Sequence, residues 1–176
     1  MTAPPLMPEN ESARREIVRV LRENWREELV IARVYRTMAE DEKNARRREL
    51  MHRMADSEEE HASLWAERLA ALGEIVNPDE VEGDYQKQYR VLRHFGTDAM
   101  IRRIEREERG HVADYQAQIK SLGDPESAAI LERVIPDEEA HAERLHQMAM
   151  ESQTGPRSKL DSLLAVSYTH LRAHET

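Results

Sequence analysis

One set of residues occurs twice in this chain, with the same spacing each time. A glutamate, a tyrosine, a second glutamate and a histidine each recur 80 positions later (108 minus 28): Glu28, Tyr35, Glu58 and His61 return as Glu108, Tyr115, Glu138 and His141. A fixed offset of this kind indicates a duplicated supersecondary unit. The chain has 176 residues, which is enough for one domain, so we expect the two units to share one core.

Each unit reads as a pair of helices. Only 6 glycines and 7 prolines interrupt a sequence rich in straight-chain helix formers. The turn signals divide it into predicted helices at 12–41, 44–72, 98–122 and 125–151, with a shorter helix over 84–95. The connection between the second and third long helices is long enough to run back along the bundle. The predicted fold is therefore all-α: two duplicated antiparallel hairpins joined by a crossover that contains a short helix.

The repeated glutamates are predicted to face the core. At 100° per residue, Glu28, Glu58, Glu108 and Glu138 each lie within an apolar stripe of their helix. Each is about 15 residues from its hairpin turn, or roughly 22 Å at 1.5 Å per residue, which places all four at mid-height. Four buried carboxylates need compensating positive charge, and a metal cluster would supply it.

The spacing also suggests a ligand assignment. Two helices that each give one Glu, and two that each give Glu-x-x-His, form the pattern of di-iron and di-manganese carboxylate sites. We assign Glu58 and Glu138 as bridging ligands, Glu28 and Glu108 as terminal ligands, and His61 and His141 as one imidazole for each ion. Two Fe ions are expected, with Mn as the alternative. Tyr35 and Tyr115 are expected to donate hydrogen bonds to carboxylates across the bundle.

Several residues leave alternatives open. Glu105 and His111 occupy inward positions where the first unit has Trp25 and Ile31, so both are candidates for extra ligands. Pro136 lies two residues before Glu138 and should kink or restart the fourth long helix. Thr97 and Asp124 are predicted helix caps. The simpler interpretation is a repeat that has lost its metal site and holds buried acids that are protonated or solvated.

Composition excludes other kinds of site. The absence of cysteine rules out disulfides, Fe–S clusters and rubredoxin-type centres in this sequence. A formal net charge of -9 argues against nucleic acid as a partner and is compatible with cation binding.

The two ends are expected to lie outside the folded domain. We assign 1–11 as a disordered N-terminus, 12–152 as the di-iron domain and 153–176 as a non-native or disordered tail. The last ten residues, Ser167–Thr176, look like the translation of a sequencing adapter. If so, the natural protein continued beyond this point.

The motifs resemble those of the ferritin-like superfamily, and more narrowly a rubrerythrin-like domain. The matching segments cover about residues 20–150: Glu28-Leu-Val-Ile-Ala-Arg-Val-Tyr35, Glu58-Glu-Glu-His61, Phe95-Gly-Thr97, Glu108 to Tyr115, and Asp137-Glu-Glu-Ala-His141. The sequence looks most like the erythrin-type domain that precedes the membrane region in vacuolar iron transporter family proteins and membrane-bound ferritins. That resemblance implies a ferritin-like four-helix bundle, a cytoplasmic position, a homodimer, and a parent protein tethered to a membrane through a missing C-terminal region.

Three functions are consistent with these observations. The leading hypothesis is a ferroxidase-like protein that binds Fe(II) and oxidises it with O2 or H2O2, in iron homeostasis or oxidative-stress protection. The second is a non-catalytic iron-capturing or iron-sensing domain serving iron transport. The third is a bundle used only for association. Since there is no cysteine for a rubredoxin centre, full peroxidase turnover would need an external electron donor.

Overall fold

The computed structural model describes residues 11–153, and the regular elements in this range are all helical. They are α1 (Glu11–Asp41), α2 (Ala45–Ala71), a short 3-10 helix (Pro78–Val81), α3 (Glu82–Phe95), α4 (Thr97–Ser121) and α5 (Pro125–Gln153). The five α-helices lie close to their predicted bounds, which confirms the all-α prediction. The 3-10 helix within the crossover was not predicted.

The helices form two hairpins, with α1 packed on α2 and α4 packed on α5. The crossover returns along α1, because α3 is joined to it by polar contacts. Arg26 donates to Asp84 at 2.6 Å, and the hydroxyls of Thr37 and Tyr85 lie 2.9 Å apart. The start of α4 therefore lies at the same end of the bundle as the turn between α1 and α2.

Two helix starts show how local chemistry sets the turns. Asp124 caps α5 as predicted, accepting the backbone N–H of Ser127 at 3.2 Å. The prediction that Thr97 caps α4 is wrong: Thr97 is the first helical residue, and Gly96 precedes it with φ of 81° and no side-chain cap. A single residue separates α3 from α4, so the chain must reverse through a left-handed conformation, which favours glycine.

Helix α5 continues through Pro136 over its whole length, so the predicted restart is wrong. Pro136 is exposed, and the face that packs into the bundle carries the buried Val134 and Glu138. Proline removes one backbone hydrogen bond. Packing of the buried face on both sides of the proline explains why the helix nevertheless persists.

Two apolar clusters fill the bundle, one at each end. One includes Met38, Met54, Ile104 and Leu145. The other includes Leu21, Trp65, Tyr115 and Leu131. On each long helix, the repeated glutamate lies between positions belonging to the two clusters, so the candidate ligands form a polar layer between two apolar layers.

The predicted N-terminal segment 1–11 and the predicted tail 153–176 lie outside the described residues, apart from Glu11 and Gln153, which are the end residues of α1 and α5. No helix within residues 11–153 combines the length and the apolar character that crossing a bilayer requires.

Candidate metal centre

Six predicted ligands come together inside the bundle. Helix α1 contributes one, α2 two, α4 one and α5 two, and all are at most 3% exposed: Glu28, Glu58, His61, Glu108, Glu138 and His141. The four glutamates were predicted to face the core at the same height of the bundle, and the structure places them there together with the two histidines.

The six side chains form two overlapping groups. One contains Glu28, Glu58, His61 and Glu138, and the other contains Glu58, Glu108, Glu138 and His141. Within each group, one potential ligand atom per residue lies within 4.8 Å of all the others. Glu58 and Glu138 belong to both groups, which is the arrangement expected of carboxylates that bridge two ions.

The histidines approach these carboxylates through one ring nitrogen. His61 Nδ1 lies 3.1 Å from Glu58 Oε2 and 3.0 Å from Glu138 Oε1. His141 Nδ1 lies 2.8 Å from Glu58 Oε1. Each group thus holds one imidazole nitrogen close to a shared carboxylate.

Several of these polar atoms have no hydrogen bond, although they are buried. Within residues 11–153 they include Glu58 Oε1, both carboxylate oxygens of Glu138, and Nδ1 of His141. His141 Nδ1 and Glu58 Oε1 are 2.8 Å apart but do not form a hydrogen bond. Such an arrangement is expected of two ligand atoms that would share one metal ion. Buried polar groups left unpaired are costly. The donor set therefore fits a pair of divalent cations bound by oxygen and nitrogen.

The pKa values of the four buried carboxyl groups differ widely. Burial raises the pKa of Glu58 and Glu108 well above the ordinary range, and nearby carboxylates add to the shift. Burial, with Glu28 and Glu58 nearby, raises the pKa of Glu138 to about 7. Burial also opposes ionisation of Glu28, but the nearby His61 ring and the Tyr115 hydroxyl are among the contacts that outweigh it and lower the pKa of Glu28 to about 2. Without metal, protons must therefore neutralise part of the cluster.

The two imidazoles differ in the same way. Burial acts to lower the pKa of both rings. For His61, the nearby carboxylates of Glu138, Glu28 and Glu58 outweigh burial and raise the pKa. For His141, burial dominates and the pKa falls. In the metal-free protein, His61 therefore carries the positive charge of the cluster.

Both tyrosines donate hydrogen bonds across the bundle. The Tyr35 hydroxyl lies 3.0 Å from Glu108 Oε1, and the Tyr115 hydroxyl lies 2.6 Å from Glu28 Oε1. Each tyrosine therefore contacts the glutamate of the opposite hairpin, as the sequence predicted. Trp65 adds a long contact from its indole N–H to Glu28 Oε1 at 3.5 Å.

The two candidate extra ligands lie in different places. Glu105 is outside both groups, because its carboxylate pairs with His146 at 2.8 Å and with Arg109 at 3.3 Å. His111 is closer to the centre: its buried Nδ1 has no hydrogen bond and lies 3.9 Å from Glu108 Oε2. Neither residue belongs to the two groups of potential ligands among the described residues.

A cavity of about 420 Å³ lies beside the centre between α1, α3 and α4. Its charged lining has more acidic than basic residues: Glu23, Glu27, Asp84 and Glu107 against Arg26 and Lys87, with His111 at the inner side. Nε2 of His111 lies 3.5 Å from Glu27 Oε2. His111 therefore stands between the cavity and Glu108.

Sequence reasoning missed one residue at the centre. Asp137 Oδ2 lies 3.4 Å from Nε2 of His61, on the side of the ring that faces away from the glutamates. The repeat could not reveal this contact, because the residue 80 positions earlier is Ser57. An acidic residue directly before the glutamate of an inward Glu-x-x-His motif was the signal available.

The all-α fold and the two overlapping Glu–His groups, each of which could hold a metal ion, match the pattern of the dinuclear metal-carboxylate class. The family model for Rubrerythrin matches residues 19–149. Since the match covers most of the chain, the protein belongs to the rubrerythrin family. Among curated proteins, no significant match to the chain was found.

Proposed function

We propose that the centre binds two Fe(II) ions and oxidises them with O2 or H2O2. The observation that carries the proposal is the pair of four-residue groups that share Glu58 and Glu138 and hold one imidazole each. Glu28, Glu58 and His61 would hold one ion, Glu108, Glu138 and His141 the other, and the two shared carboxylates would span both positions.

Charge balance supports a pair of divalent ions. Four ionised glutamates carry four negative charges, which two Fe(II) ions neutralise, so the loaded centre can be buried without protons. Two Fe(II) ions held together supply two electrons: 2 Fe(II) + O2 + 2 H⁺ gives 2 Fe(III) + H2O2, and 2 Fe(II) + H2O2 + 2 H⁺ gives 2 Fe(III) + 2 H2O. The ring of His61 and the carboxyls of Glu58, Glu108 and Glu138, whose pKa values are all raised, would release protons when Fe(II) binds.

The residues around the centre would exclude water from it and hold its carboxylates in fixed orientations. Apolar clusters cover it at both ends, and Tyr35 and Tyr115 fix the orientation of Glu108 and Glu28. The cavity that ends at His111 is the proposed route for ions and oxidant, since acidic residues outnumber basic ones in its lining and a net negative charge favours cations.

An anaerobic titration with Fe(II) followed by exposure to O2 or H2O2 tests the proposal. We expect two ions per chain and oxidation of both on mixing with oxidant. Tight binding of two ions with slow oxidation would favour the iron-capturing domain instead. Absence of stoichiometric binding would reject both functions. Competition with Mn(II) in the same titration would measure the preference for iron.

The homodimer, the cytoplasmic position and the membrane-tethered parent stay predictions. Sedimentation of this chain measures the first of them.

A further inference from the structure

We propose that Asp137 is a positioning residue that orients His61 and makes the two metal positions of the centre unequal. This inference rests on the proposed function, because it assumes that His61 is a ligand. It concerns a side chain outside both groups of potential ligands.

The two nitrogens of His61 face different surroundings. Nδ1 points at the glutamates, with Glu58 and Glu138 at 3.1 and 3.0 Å. Nε2 points the other way, 3.4 Å from Asp137 Oδ2. A histidine that offers one nitrogen to a metal is commonly oriented by a hydrogen bond from its other nitrogen to a carboxylate. Asp137 can accept that hydrogen bond, so it favours the tautomer whose Nδ1 lone pair faces the centre.

Among the described residues, no carboxylate plays this part for the second histidine, His141. Within residues 11–153, the only acidic oxygen within 4.0 Å of a His141 ring nitrogen belongs to Glu58, inside the centre. The residue that corresponds to Asp137 in the repeat is the half-buried Ser57. The duplication therefore conserves the ligands but not this carboxylate.

The two positions should therefore bind ions with different affinity. A carboxylate behind a ligating histidine fixes the ring and increases its basicity as a ligand. The position that contains His61 would then fill before the position that contains His141. The side chain of Asp137 is 59% exposed, so it is reachable by water and is not required to fill the core.

Titration of the whole chain with Co(II) alone tests this inference. Co(II) reports each bound ion by its visible ligand-field absorption and needs no oxidant. We expect two binding steps in the unchanged protein. Asp137→Ala should weaken the tighter step by roughly 10- to 100-fold, change the spectrum of the first ion, and leave the weaker step unaltered. Asp137→Asn, which keeps an acceptor oxygen but loses the charge, should restore part of the affinity.

Glu139→Ala is the matched control, because it removes one exposed carboxylate two residues further along α5. It should leave both steps and both spectra unchanged. If Asp137→Ala behaves like Glu139→Ala, or weakens both steps equally, the positioning role is overturned while the metal pair stands. If the unchanged protein binds no pair of ions, the proposed function fails and the inference fails with it.

Discussion

The buried glutamates have different pKa shifts although they occupy repeat-equivalent positions. Burial raises the pKa of Glu108, whereas contacts with His61 and other donors lower the pKa of its equivalent, Glu28, to about 2. The pKa values of the two glutamates differ because the pKa of His61 is raised, which favours its charged form, whereas the pKa of His141 is lowered. At the residue scale, therefore, the centre is symmetric in its ligands and asymmetric in its protons.

The bridging assignment can be tested by removing one shared carboxylate. Glu58→Ala should abolish paired binding, because Glu58 belongs to both groups of potential ligands. Calorimetric titration with Fe(II) under anaerobic conditions should show the loss of two-ion stoichiometry. The control is Glu59→Ala, since Glu59 is an exposed neighbour that pairs with Arg36. Two ions bound by the Glu58→Ala variant would reject the bridging role.

The raised carboxyl pKa values predict how stability depends on pH in the metal-free protein. The pKa of Glu138 rises from 4.5 to about 7 on folding, so its contribution is present below pH 4.5 and is lost as the pH rises through 7. Glu58 and Glu108 act in the same direction. His141, with its lowered pKa, acts in the opposite direction, and Glu28 matters only below pH 4.5.

We therefore expect the melting temperature in the presence of chelator to fall between about pH 5 and 7. For each proton that the folded protein binds and the unfolded chain does not, the free energy of unfolding falls by up to about 1.4 kcal/mol per pH unit. Two bound divalent ions should remove the decline, because they replace protons as the compensating charge. Thermal melts across this range, with and without Mn(II), measure both effects. A melting temperature that rises with pH in chelator would contradict the expectation.

At the scale of the helices, turn signals and periodicity predicted most of what the structure contains. Turn signals placed the four long helices, and the apolar stripes with the 80-residue repeat placed six converging side chains. Periodicity does not describe side-chain contacts between helices, so the pairing of Glu105 with His146 and the contact of Asp137 with His61 were missed. Local rules predicted a kink or a restart at Pro136, and the restart is wrong because such rules do not include packing of the opposite face.

Pro136 offers a test of how strongly that packing acts. Alanine is about 3 kcal/mol more favourable than proline in a helix interior, so Pro136→Ala should raise the free energy of unfolding, by less than that amount because proline also restricts the unfolded chain. The side chain is exposed, so no cavity results. Urea denaturation measures the gain, and Co(II) stoichiometry should stay at two. A destabilised variant would mean that the proline shapes α5 in a way the centre requires.

At the scale of the whole molecule, the centre exists only if the two hairpins keep their register. One buried ion pair joins them away from the centre. Arg68 on α2 donates to Asp124 at 2.7 and 3.1 Å and also pairs with Glu126. Asp124 is the residue that caps α5, so one carboxylate both starts that helix and ties it to the first hairpin.

Removing this link should affect both stability and the metal centre. Arg68→Met leaves Asp124 buried without its partner, and loss of one member of a buried pair costs about 3–5 kcal/mol. Because α2 and α5 both supply shared ligands, we also expect weaker Co(II) binding. Arg133→Met is the control, since Arg133 pairs with Glu60 between the same two helices but is 60% exposed, and such pairs contribute about 0–1 kcal/mol. Urea denaturation and Co(II) titration of both variants measure these effects. Equal, small losses in the two variants would show that the apolar clusters alone hold the hairpins in register.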